Sequence, residues 1–241
     1  MTAFPRTLVV IPAYNEAQCL SHVIDSIRAH VPWADIVVVN DGSQDATPDI
    51  ARSKGVFLLN LPYNLGIGGA VQTGYKFAAW RGYEVAVQVD GDGQHPPSEI
   101  ERLVHSVTTT DANMVIGSRY LASSGYNTPF SRLVGIRILS SVVSLIAGQR
   151  VTDTTSGFRA IDRRTIHFLA RMYPRDYPEP EVIVWLRREG FQIAEVPVCM
   201  KERIGGISSI SLVKGLYYVV KVLVATVIDA FKDRVWEGET K

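Results

Sequence analysis

An apolar alternation that stops dead at two carboxylates constrains this chain more than any other feature. Val85, Ala86, Val87, Gln88 and Val89 run into Asp90-Gly91-Asp92, followed by Gly93, Gln94, His95, Pro96 and Pro97. A β-branched apolar run bounded by Gly and Pro reads as a buried strand ending in a turn. On that turn Gly91 lets the Asp90 and Asp92 side chains converge. Converging carboxylates repel each other unless a cation lies between them, and hard divalent ions such as Mg²⁺ or Mn²⁺ take oxygen ligands of this kind. The plainer reading is a polar loop whose aspartates cap the next helix. Loops after buried strands of an α/β sheet are where ligands bind, which favours the first reading.

The same pattern recurs on either side. Thr7–Ile11, Ile36–Val39, Gly55–Leu59, Glu84–Val89 and Asn113–Ile116 read as strands. Between them lie helical periodicities from Glu16 to His30, from the Ser43/Asp45 capping region toward Lys54, from Asn64 through Ala79 and over Pro97–Val107. Short βα alternation of this kind predicts a parallel sheet with helices on both faces. Three strand ends carry polar clusters: Tyr14-Asn15-Glu16, Asp41-Gly42-Ser43 and Asp90-Gly91-Asp92. In such a sheet they fall side by side on one edge, so one site is assembled from separated stretches.

Beyond Tyr120 the pattern loosens. Ala122–Pro129 reads as a lid-type loop and Phe130–Ala147 as a helix carrying Arg132 and Arg137. Val151–Arg159 reads as a loop, with helices near Arg163–Arg171 and Glu179–Glu189, a late strand over Gln192–Val198 and a mobile cationic loop over Lys201–Ser209. Residues 1–209 are expected to form one domain and 210–241 a C-terminal amphipathic helix. In Ile210–Phe231 the polar residues form a narrow stripe, and Lys214, Lys221 and Asp229 interrupt the apolar run. It therefore lacks the roughly 20 uncharged residues of a spanning helix. It reads as a helix docking on a membrane surface or a small membrane protein, or packed on the rest of the chain.

A formal net charge of +1 gives no case for a nucleic-acid partner. Cys19 and Cys199 have no metal-type spacing and read as reduced. The first apolar run ends at Pro12, too short for a signal peptide, which points to the cytoplasm.

IPAYNE, VVNDGSQDAT, NLGIGGA, VDGDGQHPP and GSRY, in that order, resemble the family 2 glycosyltransferases, and within them the polyprenyl-phosphate sugar synthases. The resemblance spans roughly residues 7–210 and rests on the ordered set rather than on any one block. It implies an α/β GT-A fold, a nucleotide-sugar donor (a UDP-sugar or GDP-mannose), inversion at the anomeric carbon, and a polyprenyl phosphate acceptor at the inner face of the cell membrane. It further implies that Pro12, Tyr14 and Glu16 line the nucleotide, that Asp41 bonds the base, and that Asp90, Asp92 and Gln94 hold the metal and diphosphate. Arg119, Arg132 and Arg203 are then the basic residues receiving the acceptor phosphate, and Asp153–Phe158 lies near sugar and acceptor. The Asp-Gly-Asp-Gly block departs from the usual Asp-Ala-Asp-Leu.

The residue types agree with that chemistry. A lipid phosphate is already ionised and needs cations rather than a base, and arginine forks match phosphate. A hydroxyl acceptor would instead need Asp153 or a nearby carboxylate as base. Several residues carry a second reading. Glu16 also suits a helix first turn, and Asp41 a simple turn. Gly66, Gly68 and Gly69 suit either a phosphate cradle or close helix packing. His95 is structural or a sugar contact. Arg137, Arg163, Arg164, Arg187 and Arg188 read as solvated.

Overall fold

A computed structural model describes residues 4–121, 130–174 and 178–200, together with Val224. A seven-stranded sheet in the order β3-β2-β1-β4-β6-β5-β7 forms its centre. The strands are β1 (Thr7–Ala13), β2 (Asp35–Asn40), β3 (Phe57–Asn60), β4 (Val85–Gln88), β5 (Met114–Ser118), β6 (Arg159–Asp162) and β7 (Ile193–Pro197). The parallel half is as expected, with Val9 opposite Ile36 and Val87 across β1, β2 and β4. β6 is the difference. It runs antiparallel between β4 and β5, Gln88 opposite Arg159 and Ile116 also opposite Arg159. Its four residues, Arg-Ala-Ile-Asp, are too short to show a period and lie between loop-like and helix-like chemistry.

Helices α1 (Leu20–His30), α2 (Thr47–Ser53) and α4 (Ile100–Thr109) cover one face; α3 (Gly66–Arg81), α5 (Phe130–Ala147), α6 (Arg163–Arg171) and α7 (Pro178–Arg188) cover the other. Each face has its own core, Val9, Ile11, Ile24, Val38 and Leu103 against Val10, Val37, Tyr75, Ile116 and Val184. Odd and even positions of one strand thus serve opposite layers, as the pleat requires. α3 lies unusually close to β1, since a Cβ on Gly74 would fall 2.2 Å from Val10 Cγ1. α1 begins at Leu20, four residues after Glu16, so Glu16 is not in its first turn. Nor is Arg187 merely solvated: it donates to the Ala147 and Phe191 carbonyls.

Among the described residues no helix is long and apolar enough to cross a membrane. The Ala122–Pro129 loop, the Lys201–Ser209 loop with Arg203, and the 210–231 segment lie outside the described residues, as does the Arg132 side chain.

Candidate active site

Every parallel strand ends at the same edge, and the antiparallel β6 begins there, so the loops after β1, β2, β4 and β5 meet the loop before β6. The first two are stitched together by backbone donors. Asn15 N–H donates to Ser43 Oγ at 2.9 Å, and Gln44 N–H returns a bond to Asn15 Oδ1 at 2.9 Å. Asn15 holds φ at 56°, a conformation an Asn tolerates better than most L-residues. Glu16 N–H donates to Thr47 Oγ1 and Ala17 N–H to Asp45 Oδ2. Burial pushes the Asp45 carboxyl upward, but hydrogen bonds from Thr47 and the Ala17 amide outweigh it and hold the group below the usual carboxylate range. Asp45 thus serves the start of α2, as expected of it.

Asp41 is buried at 3 % exposure, and each of its oxygens accepts a backbone N–H: Leu65 at 2.7 Å and Gly66 at 2.9 Å. A carboxylate on the first amides of α3 satisfies orphan donors and complements the helix dipole. The structure therefore ties Asp41 to the NLG loop. Next to it, Gly42 holds φ at 72° with its Cβ position 2.9 Å from the Tyr63–Asn64 backbone, so no side chain fits. Gly68 is buried in the first turn of α3. Beside this floor Tyr14 stands 46 % exposed, an aromatic face open at the rim.

The carboxylate turn follows β4. A Cβ on Gly91 would lie 3.3 Å from Glu16 Cγ and 3.4 Å from the Pro12 carbonyl, which puts Pro12 and Glu16 directly against the Asp90–Asp92 turn. Asp92 Oδ1 accepts the Gln94 N–H at 3.0 Å. Asp90 is held from three sides. Its backbone N–H donates to His95 Nδ1 at 3.0 Å, His95 Nε2 lies 3.5 Å from its Oδ2, and Gln88 Nε2 donates to its Oδ1 at 3.2 Å. An accepting Nδ1 leaves the ring proton on Nε2, facing the carboxylate. The His95 ring, 5 % exposed, stacks on Phe158 at 4.9 Å. His95 is thus a positioning residue for Asp90.

Gly157 closes the turn from the β6 side. Its Cβ would meet Gln88 Nε2 at 2.8 Å and the Asp90 oxygens at 3.2 and 3.3 Å, so only glycine leaves this face of the carboxylate uncovered. Among the described residues no group of three or more His, Cys, Asp or Glu is gathered as for a metal. Two carboxylates with a side-chain amide nearby fit a hard divalent ion that completes its oxygen shell from water or a ligand's phosphates. Because His95 fixes the Asp90 backbone and carboxylate, His95→Ala is expected to shift divalent-ion activation about 10–100-fold to higher concentration, with activity recovered at saturating ion. A titration of activity against Mn²⁺ checks this; an unmoved midpoint would leave His95 a packing residue only.

Arg119 and Asp153 come together as a buried ion pair. Arg119 Nε and N–H donate to Asp153 Oδ2 at 2.7 and 3.0 Å, and its Nη2 donates to Oδ1 at 2.8 Å and to Thr155. The Asp153 carboxylate has no exposure and Arg119 has little. Glu195 of β7 in turn accepts from the Thr152 and Asp153 amides and the Thr152 hydroxyl. The Asp153 carboxylate is thus buried and bonded to Arg119 through both oxygens, and the pair braces the loop before β6.

A second carboxyl, not weighed in the sequence reading, interacts with Asp90 and Arg159. Glu179, at the start of α7, is half-buried. Burial pushes its carboxyl upward, Arg159 pulls it back and the Asp90 charge adds to the rise. Arg159 itself is buried, donating to the Ser156 and Glu179 carbonyls at 2.7 and 2.8 Å. The signal for this cluster was Gln88, a polar residue inside an apolar strand, which sits 2 % exposed opposite Arg159.

Residues 8–184 match the model of glycosyl transferase family 2. The chain is 32 % identical to polyprenol monophosphomannose synthase of Mycolicibacterium smegmatis, over 86 % of this chain and 81 % of that one. It is 34 % identical to undecaprenyl-phosphate mannosyltransferase of Micrococcus luteus, over 86 % and 88 %. Among solved structures it is similar to glucosyl-3-phosphoglycerate synthase from Mycobacterium tuberculosis in complex with Mn²⁺, UDP and glucosyl-3-phosphoglycerate. There the TM-score is 0.68 at 22 % identity, covering 94 % of this chain and 80 % of that one. The chain belongs to glycosyl transferase family 2, is a glycosyltransferase, and has the GT-A fold.

Proposed function

We propose that this member of glycosyl transferase family 2 moves one sugar, with inversion, from a nucleotide-diphosphate donor to a polyprenyl phosphate at a membrane surface. The observation that carries the donor half is the Asp90–Gly91–Asp92 turn, oriented by His95 and Gln88 and pressed against Pro12 and Glu16. Asp90 and Asp92, with Gln94, would hold a divalent ion, Mg²⁺ or Mn²⁺, which stabilises the negative charge developing on the departing nucleotide diphosphate. Tyr14 offers its exposed ring to the base, and Asp41 fixes the loop floor beneath it. The acceptor half is supported by relatives named for polyprenol, undecaprenyl-phosphate and, in Methanococcus voltae, dolichyl-phosphate transfer. Arg132 and Arg203 are the cations proposed for its phosphate. Residues 210–241 are proposed as the segment that holds the domain at the membrane or on a small membrane partner.

A donor panel tests this. The protein with Mg²⁺ or Mn²⁺ and a polyprenyl phosphate is offered GDP-mannose, UDP-glucose and UDP-N-acetylglucosamine, and organic-phase sugar is scored. One metal-dependent lipid product supports the reading; donor hydrolysis without any lipid product overturns its acceptor half.

A second reading, a phosphorylated small molecule with an attacking hydroxyl, is favoured by Glu179. A hydroxyl nucleophile needs a base, and Glu179, whose carboxyl is pushed up first by burial and further by the Asp90 charge, is the candidate. The two readings separate on one variant. Glu179→Gln is expected to leave transfer to a prenyl phosphate within a small factor of wild type, whereas transfer to a hydroxyl would fall about 10²–10⁴-fold. Rates with 3-phosphoglycerate and with a short prenyl phosphate measure both.

A further inference from the structure

Helices α3 and α6 pack side by side and between them carry no carboxylate. The charged residues of α3 are Lys76 and Arg81, and those of α6 are Arg163, Arg164 and Arg171. All five are exposed, as is His167, in a chain whose 25 basic and 24 acidic residues otherwise balance. Two contacts fix the helices in antiparallel register. Gln72 Nε2 donates to the Ala170 carbonyl near the site edge, and at the other end the Arg163 guanidinium lies 3.8 Å from the Cβ position of Gly82. Arg164 turns aside over the Phe191 ring. What remains is a strip running from Arg171 through His167 and Lys76 to Arg163 and Arg81.

That strip ends in exposed aromatic surface. Trp80 is 78 % exposed, Phe57 on the edge strand β3 is 37 % exposed, and Phe77 lies between them with ring centroids 5.3 and 6.1 Å away. The Arg81 guanidinium sits 5.3–5.9 Å from all three rings. A merely solvated basic face has no use for an indole left in water. Indole among cations is the composition of a headgroup layer contact, the ring at the interface and the cations on lipid phosphates. Two helices lying flat on a sheet also give a plane rather than the groove that tracks a single nucleic-acid strand.

We propose that the α3–α6 face, through Lys76, Trp80, Arg81, Arg163 and Arg171, docks on an anionic lipid bilayer. The inference rests on the lipid-acceptor reading above, and it adds a contact within the catalytic domain itself, separate from residues 210–241.

The test uses the full chain, its Lys76→Glu/Arg163→Glu variant and its Trp80→Ser variant. Each is sedimented with phosphatidylcholine vesicles with and without phosphatidylglycerol, at low and high salt. Wild type is expected to bind the anionic vesicles more tightly than the neutral ones, with that preference lost at high salt, and the charge reversal to weaken anionic-vesicle binding by about tenfold or more. Trp80→Ser is expected to bind less tightly and to show a smaller blue shift of tryptophan emission on binding. Thermal melting confirms that these surface variants fold. Charge-reversed protein binding anionic vesicles as tightly as wild type overturns the proposal, as does wild type failing to bind them. Transfer to a short, water-soluble prenyl phosphate should match wild type in the charge-reversal variant, while transfer to a long-chain acceptor in vesicles falls. If neither acceptor is used yet vesicle binding responds as stated, the lipid-acceptor reading fails and the docking face stands.

Discussion

Asp92→Asn is expected to lower kcat/KM for sugar transfer about 10³-fold or more while leaving the thermal midpoint within a few degrees of wild type. The asymmetry follows from what Asp92 does in each role. Structurally its Oδ1 accepts one backbone N–H from Gln94, which an asparagine oxygen can also accept. Chemically it supplies one of two anionic charges beside the Gly91 turn, and an amide supplies none. The departing diphosphate develops charge as the glycosidic bond breaks, and losing several kcal/mol of divalent-ion stabilisation there corresponds to three or more orders of magnitude in rate. Steady-state kinetics over a Mn²⁺ series with parallel melting curves check the prediction. Retained activity would remove the ion from the site's chemistry. A collapse of the fold would mean that the turn needs both carboxylates for its shape.

The sheet edge at which these loops meet was legible in the sequence, because strand-end loops in a parallel sheet converge whatever their length. Apolar runs such as Thr7–Ile11 and Ile36–Val39 gave the strands, and the polar residues that follow them gave the edge. What the pattern could not carry was β6. Four residues, Arg159–Asp162, inserted antiparallel between β4 and β5, leave no periodic trace, and with them comes the loop that seats Gly157 against Asp90. His95 was likewise ambiguous as a letter. Its role depends on an Asp90 amide pointing at Nδ1 and on the Phe158 ring beneath, contacts set by chain folding across some sixty residues. Asp41 carries a contact its position after β2 did not announce: each of its oxygens accepts one of the first amides of α3, 24 and 25 residues later.

Arg119 and Asp153 supply the second large effect, on stability. Asp153→Asn would deprive the Arg119 guanidinium, in a site with little exposure, of the carboxylate that pairs it through both oxygens. Breaking one side of a buried pair costs about 3–5 kcal/mol, because the remaining charge has lost its compensation without regaining water. For a chain of this size each kcal/mol moves the midpoint by about 2–4 °C, so a fall on the order of 10 °C is expected. The double change Arg119→Met/Asp153→Leu should recover much of that loss, since replacing both members by apolar groups of similar volume is often near neutral. Melting curves of the single and double variants close the cycle. A single variant that melts as wild type yet transfers poorly would return Asp153 to the chemistry, and the loop around Thr152 and Glu195 would then have to open to expose it.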